Sequence, residues 1–244
     1  MAINKDNNGY TFLFAILMVV IVGASLAAVS VGLKPLQDKN LEIKKKMDIL
    51  NALKVKDIQG SDTLDITRLN AKAIYDATVL SDECLVLDTE GNVISGVVAF
   101  DVDIKQQFRD KTRPAENREY PLFVASINGA KKYVIPVVGS GLWGPVWGYL
   151  AINEDKTTIY GAQFDHKTET PGLGAEIKQP FFYTQYESEA ISENGVYKKI
   201  KVVKDGSGKE PFKVDGITGG TITSKGVEEM VDRTLQIYVK YFNK

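Results

Sequence analysis

The chain has 244 residues, 44% of them hydrophobic and 25% charged, which is ordinary globular composition. Lys and Arg number 30 against 31 Asp and Glu, so no global basic field exists to hold nucleic acid. One cysteine, Cys84, excludes an intramolecular disulfide and a Cys-built metal cluster, and one histidine, His166, excludes a His-pair metal site.

No charge falls between Asp6 and Lys34. The run TFLFAILMVVIVGASLAAVSVGL, Thr11 to Leu33, is long enough at 1.5 Å per residue to span a hydrocarbon core of roughly 30 Å. A cleaved leader is the competing reading, with Ser25-Leu26-Ala27 as a small-x-small site. The run continues past that site and only Lys5 precedes it as a basic residue, which favours a retained single-pass anchor. Lys34, Lys39 and Lys44-Lys45-Lys46 follow the span. Counting Lys and Arg alone would put the next domain in the cytoplasm.

Leu36, Asn40, Ile43, Met47 and Leu50 recur at helical spacing and predict a stalk continuing from the span, with the lysine run on its solvated face. Ile66, Leu69, Ala73, Ala77 and Leu80 predict a second helix. The period then changes. Glu83 to Asp88 and Val93 to Val102 read as strands around a Glu90-Gly91-Asn92 turn, with Cys84 as a buried apolar residue. Lys105 to Glu119 reads as a surface loop or short helix. Leu122 to Ile127 and Tyr133 to Val138 flank Asn128-Gly129, a strong hairpin signal. Val146 to Ile152 and Thr157 to Phe164 read as further strands.

A last amphipathic helix carries Val227, Met230, Val231, Thr234, Leu235, Tyr238, Tyr241 and Phe242 on one face, with Ser224 as its N-cap. The fold class is therefore α+β, with a mainly antiparallel sheet flanked by helices and preceded by one transmembrane helix. The expected divisions are a tail at 1–10, the span at 11–33, a stalk or linker at 34–60 and a folded domain at 61–244.

Directly before the last helix stands DGITGGTITS, Asp215 to Ser224. Its glycines permit close backbone approach, three threonines cluster there, and a helix N-terminus favours an anion. The spacing is not that of a Walker A loop. On these grounds alone it is either a phosphate-binding turn or a plain Gly/Thr entry into a helix.

The segment resembles the flavinylation motif, roughly D-x-x-[ST]-G-A-T-x-[ST], of covalent FMN-binding domains. Asp215, Thr218, Gly219, Thr221 and Thr223 match, and Gly220 replaces the usual Ala. Two more segments, GSGLWGPVWGYLA from Gly139 and ETPGLGAEI from Glu169, resemble the C-subunit family of the Na+-translocating NADH:quinone oxidoreductase. With the anchor, the length and the motif order, the resemblance covers essentially the whole chain.

It implies FMN joined by a phosphoester to Thr223, with Thr218, Gly219, Gly220, Thr221 and Ile222 around the phosphate end. It implies Leu142, Trp143 and Leu173 against the ring faces, Glu169 and Thr170 at polar atoms, and Gly174 in close approach. Trp143 and Trp147 as core aromatics, and Glu169 as a merely solvated carboxylate, are the structural alternatives. No catalytic acid or base and no resident metal are expected. The implied role is electron relay from membrane redox centres to the FMN of a sister subunit, in the bacterial inner membrane. The implied partners are the other subunits and a flavin transferase that uses FAD and a divalent metal outside the cytoplasm, with Asp215 serving its recognition. That places the FMN domain in the periplasm, against the lysine count. The G subunit of the related ferredoxin:NAD oxidoreductase complex shares the threonine motif. A rival of another class is a membrane-anchored sensor ectodomain, with a PAS-like strand pair at Cys84 to Ile94.

Overall fold

The computed structural model describes residues 8–59 and 62–244. Most of the tail expected at 1–10, and the expected boundary at 60/61, lie outside them. The chain divides into two compact units, Met1–Lys45 and Lys46–Lys244. One helix, α1 (Asn8–Ala52), carries a stretch long and apolar enough to cross a membrane. Along that stretch Phe12, Val19 and Val31 are each more than 70% exposed.

In the second unit, the last turns of α1 bury Ile49, Leu50 and Ala52 completely. Lys46 departs from the expected solvated lysine run. It is buried, with its ammonium 5.4 Å from both the Tyr75 and Phe100 ring centroids. Aromatic faces are electron-rich, so the stem stays dry while the charge is stabilised. A short hairpin, β1 (Asp57–Gln59) and β2 (Asp62–Leu64), leads to α2 (Ala71–Thr78). The second helix is shorter than its apolar spacing predicts. Asn70 Oδ1 accepts from the Thr67 N–H at 2.6 Å, a side-chain turn that competes with helix, and Leu69 is 96% exposed.

The centre is a five-stranded antiparallel sheet in the order β3-β4-β5-β6-β7. Its strands are β3 (Leu85–Leu87), β4 (Tyr120–Ile127), β5 (Ala130–Ser140), β6 (Pro145–Ile152) and β7 (Ile159–His166). Asn128 and Gly129 have φ of 52° and 80°, as a two-residue hairpin turn requires. The strand expected at Val93 to Val102 does not form beyond a single Leu87–Val93 bridge. Asp88 Oδ1 accepts from the N–H groups of Glu90 and Asn92, which closes the turn, and Gly96 at φ 80° then redirects the chain. Cys84 precedes β3 and is only half-buried, its thiol pushed up chiefly by desolvation. The Lys105 to Glu119 region opens with α3 (Ile104–Arg109), capped by Asp103.

After β7 the chain forms a 3-10 turn (Gly174–Lys178), α4 (Pro180–Tyr183), the hairpin β8 (Ser192–Glu193) and β9 (Val196–Tyr197), and a parallel pair, β10 (Lys201–Val203) and β11 (Lys213–Asp215). The long helix α5 (Thr221–Phe242) covers one sheet face. Met230, Val231, Leu235 and Tyr238 pack there with Leu122, Ile135, Val137 and Leu150. The Tyr238 hydroxyl donates to the Pro121 carbonyl at 2.7 Å, and Arg233 Nη2 to that of Val138 at 2.7 Å. The other face is also buried. Its Tyr149 phenol is held far above the ordinary range, first by burial and then by Asp48, Tyr75 and Asp103. Both faces being dry explains why β4 is buried at six consecutive positions instead of alternating.

Candidate functional site

The site is built where the β5–β6 turn, the segment after β7 and the start of α5 converge. The entry to α5 is a four-residue turn in which the Gly220 N–H donates to the Ile217 carbonyl at 3.0 Å, with Gly219 at φ 75°. Helix α5 therefore begins at Thr221 with Gly220 as N-cap, a residue with no side chain to cap the first N–H groups. Ser224, expected as the cap, lies one turn inside. Its hydroxyl donates to the Gly220 carbonyl and accepts from the Ile217 N–H, so it ties the turn to the helix from within.

Thr223 points inward and is 2% exposed. Its hydroxyl donates to Glu169 Oε2 at 2.6 Å. Glu169 is 4% exposed, and its Oε1 accepts from the Trp143 N–H at 2.8 Å. The alternative of a solvated Glu169 is thereby removed. One carboxylate joins all three segments. The Glu169 N–H donates to His166 Nδ1 at 3.2 Å, and Thr168 Oγ1 donates to the Trp143 carbonyl at 3.0 Å. His166 and Thr168 carry no sequence signal for this role, because both act through backbone partners on neighbouring turns.

A recess of about 200 Å³ opens above this carboxylate. It is lined by Leu142, Trp143, Glu169, Thr170, Leu173, Gly174, Gly219, Gly220, Thr221, Ile222 and Thr223. Two sequence-predicted residues lie off its wall. Thr218 is exposed in the turn, and Asp215 ends β11, where its Oδ1 accepts from the Gly208 N–H at 3.1 Å. The rim is apolar: Leu142, Trp143, Leu173 and Ile222 are 50%, 66%, 42% and 58% exposed. Trp143 is thus not a core aromatic. Trp147 is half-buried beneath the Lys105 ammonium, 3.5 Å from its ring centroid. Larger recesses of about 300 and 350 Å³ open at Asp101, Asp103 and Asp110 and at Lys198, Lys199 and Lys201, but neither is lined by a buried hydroxyl. Among the described residues no cluster of His, Cys, Asp and Glu could hold a metal ion.

A polar floor with uncapped helix N–H groups and an apolar rim suits a flat, amphipathic phosphate ester. Residues 141–236, which run from this turn through most of α5, match the family described as FMN-binding domain. The fold and site define a flavin-binding module of that class. The relatives narrow it. A solved structure of the C subunit of the Na(+)-translocating NADH-quinone reductase from Parabacteroides distasonis is 37% identical, with a TM-score of 0.73, covering 87% of this chain and 98% of that one. The C subunits of the same reductase from Vibrio anguillarum and Yersinia pestis are 28% and 27% identical, covering 95% and 92% of this chain and 92% and 87% of theirs. The chain belongs to the C-subunit family of the Na+-translocating NADH-quinone reductase.

Proposed function

We propose that Thr223 Oγ1 carries FMN through a phosphoester, and that the domain relays electrons between membrane redox centres and the FMN of a sister subunit. The observation that carries this reading is a buried hydroxyl on the floor of a glycine-walled recess, in the first turn of a helix whose N-cap is a glycine.

The residues present fit the group. The N–H groups of Thr221, Ile222 and Thr223 open α5 and suit phosphoryl oxygens. Gly219 and Gly220 keep that approach free of side chains. The recess is smaller than the roughly 300–1,000 Å³ of an enclosed ligand pocket. It suits the phosphate and part of the ribityl chain, and leaves the ring to the open rim of Leu142, Trp143, Leu173 and Ile222. Thr170 stands where ribityl hydroxyls or the ring's polar edge would need a partner. FMN supplies one-electron chemistry that no side chain here provides, while the chain supplies tether, orientation and an apolar cover.

The reading further places α1 across the bacterial inner membrane, with residues 1–10 inside, 11–33 spanning, and the folded unit, which begins at Lys46 and so takes in the second half of the expected 34–60 stalk, in the periplasm. The other subunits are its partners in electron transfer. A flavin transferase delivers FMN from FAD with a divalent metal, and Asp215, outside the recess, serves that encounter. The test is in-gel flavin fluorescence under denaturing conditions, with intact mass and peptide mapping. The wild-type chain matured with a transferase should show FMN on the peptide holding Thr223, and Thr223→Ala should show no band. A fluorescent band that survives Thr223→Ala would move the tether elsewhere.

A further inference from the structure

The hydrogen bond beneath Thr223 runs in a direction that bears on how the ester forms. Thr223 Oγ1 is the donor and Glu169 Oε2 the acceptor, at 2.6 Å. We infer that Glu169 is the proton acceptor that activates Thr223 for esterification and selects it over Thr221; this rests on the reading of Thr223 as the point of attachment.

Three features single out this pair. The Trp143 N–H holds Oε1 at 2.8 Å, so the carboxylate cannot turn its second oxygen away from Thr223. Both side chains are buried, at 4% and 2% exposure, so water does not compete for the hydroxyl proton. Gly174 adds no side chain on that side, and a Cβ there would overlap both Thr223 Oγ1 and Glu169 Oε2. Thr221 lines the same recess but is only half-buried, and Thr218 is exposed. Neither has a carboxylate partner among the described hydrogen bonds. A threonine hydroxyl is a weak nucleophile until a base takes its proton.

The step balances with the dinucleotide as co-reactant. Thr223 Oγ1 forms a bond to the FMN-side phosphorus of FAD, and the bond from that phosphorus to the oxygen bridging to AMP breaks. AMP leaves with the electron pair, and the hydroxyl proton passes to Glu169 Oε2. Nothing is oxidised or reduced. The proton delivered gives the carboxyl a donor facing the new phosphoester, where an unprotonated oxygen would repel it. Glu169 thus serves first the reaction and then its product.

The test uses the full-length apoprotein in detergent with FAD, Mg2+ and a flavin transferase. Intact mass follows the rate of FMN addition between about pH 6 and 9, a range that brackets most general-base profiles. Glu169→Gln keeps the shape but can offer Thr223 only an amide donor while its oxygen serves Trp143. We expect its rate to fall by about 100-fold or more near neutrality. The deficit against wild type should shrink as pH rises and hydroxide replaces the carboxylate. Transferase and FAD are common to both reactions, so their own titration cancels in that ratio. Glu169→Asp should retain a measurable rate with the wild-type pH profile. A Gln variant as fast as wild type, or a deficit equal at every pH, overturns the role and leaves a purely structural hydrogen bond. Should the Gln variant not fold, a hydroxide-proportional profile in the Asp variant overturns it. Wild-type protein that gains no flavin at Thr223 sinks the attachment reading itself, and this inference with it.

Discussion

Gly174 faces Thr223 so closely that no side chain fits between them: a Cβ on Gly174 would overlap the Thr223 hydroxyl and the Glu169 carboxylate together. Both neighbours are buried and hydrogen-bonded to each other, so neither can yield without losing its partner. Gly174→Ala should destabilise the domain by about 1–3 kcal/mol, the usual cost of overpacking. It should also suppress FMN addition in maturing cells. Thermal melting and in-gel fluorescence check the two effects separately.

Trp143 separates tether from grip. Its side chain is 66% exposed, so Trp143→Ala should leave stability within about 0.5 kcal/mol of wild type. Its backbone N–H still reaches Glu169 in that variant, so the covalent bond should form. The ring loses one apolar wall, and flavin fluorescence of the native protein should rise. Unchanged fluorescence would remove Trp143 from the ring site.

Asp215 accepts from the Gly208 N–H, and its own backbone N–H donates to Gln185 Oε1 at 2.7 Å. Asn can keep the first contact through its carbonyl oxygen and leaves the second unaltered. Asp215→Asn should therefore melt near the wild-type temperature yet acquire less FMN in cells, because only the charge offered to the transferase is lost. Full occupancy in that variant would assign Asp215 to the fold alone.

The folded unit begins at Lys46, and Ile49, Leu50 and Leu53 are fully buried within it. A chain starting at Lys34 should be soluble and monomeric and should still accept FMN. A chain starting at Val55 leaves that apolar pocket empty, at roughly 1.5–3 kcal/mol for each large side chain removed. It should aggregate or melt far lower. Gel filtration and calorimetry of the two chains decide this.

Acid should loosen α5 from its neighbours. Burial by itself would raise Glu228, but Lys225, the Val202 N–H and Lys199 outweigh it and hold the carboxyl below its ordinary value. Asp232 behaves alike, with burial overcome by Tyr197, Lys199 and Gln236. Both folded-state values lie below the unfolded ones, near 4. Their stabilisation is therefore present above about pH 4 and is lost as pH falls through the lower, folded values. Glu228→Gln should lower the melting temperature by roughly a few degrees at neutral pH and flatten its acid limb. An unaltered acid limb would show that these pairs do not govern it.

The central elements were legible because local physics repeats. The Asn128-Gly129 turn, the strands on either side of it and the apolar stripe from Val227 to Tyr238 each follow from period and turn chemistry within a few residues. The same chemistry at Asn194-Gly195, with φ of 53° and 76°, leaves no alternating pattern in the sequence because the strands it joins are two residues long. Side-chain hydrogen bonds to nearby backbone defeated other expectations. Asn70 shortened α2, Asp88 and Gly96 ended a strand before it began, and Ser224 entered α5 instead of capping it.

By itself the sequence determined that a long apolar helix precedes an α+β domain, and that a Gly/Thr turn opens its last helix. Those properties depend on neighbours in the chain. Only the tertiary structure decided that Glu169 lies under Thr223, 54 positions away, and that Trp143, 26 positions before Glu169, donates to the same carboxylate. Only packing could bury Lys46 against two rings, since period alone puts lysine in water. A carboxylate placed beside a hydroxyl gains its chemistry from exclusion of water and a fixed partner on its second oxygen. Both arise when distant segments close over one another, and no local pattern encodes them.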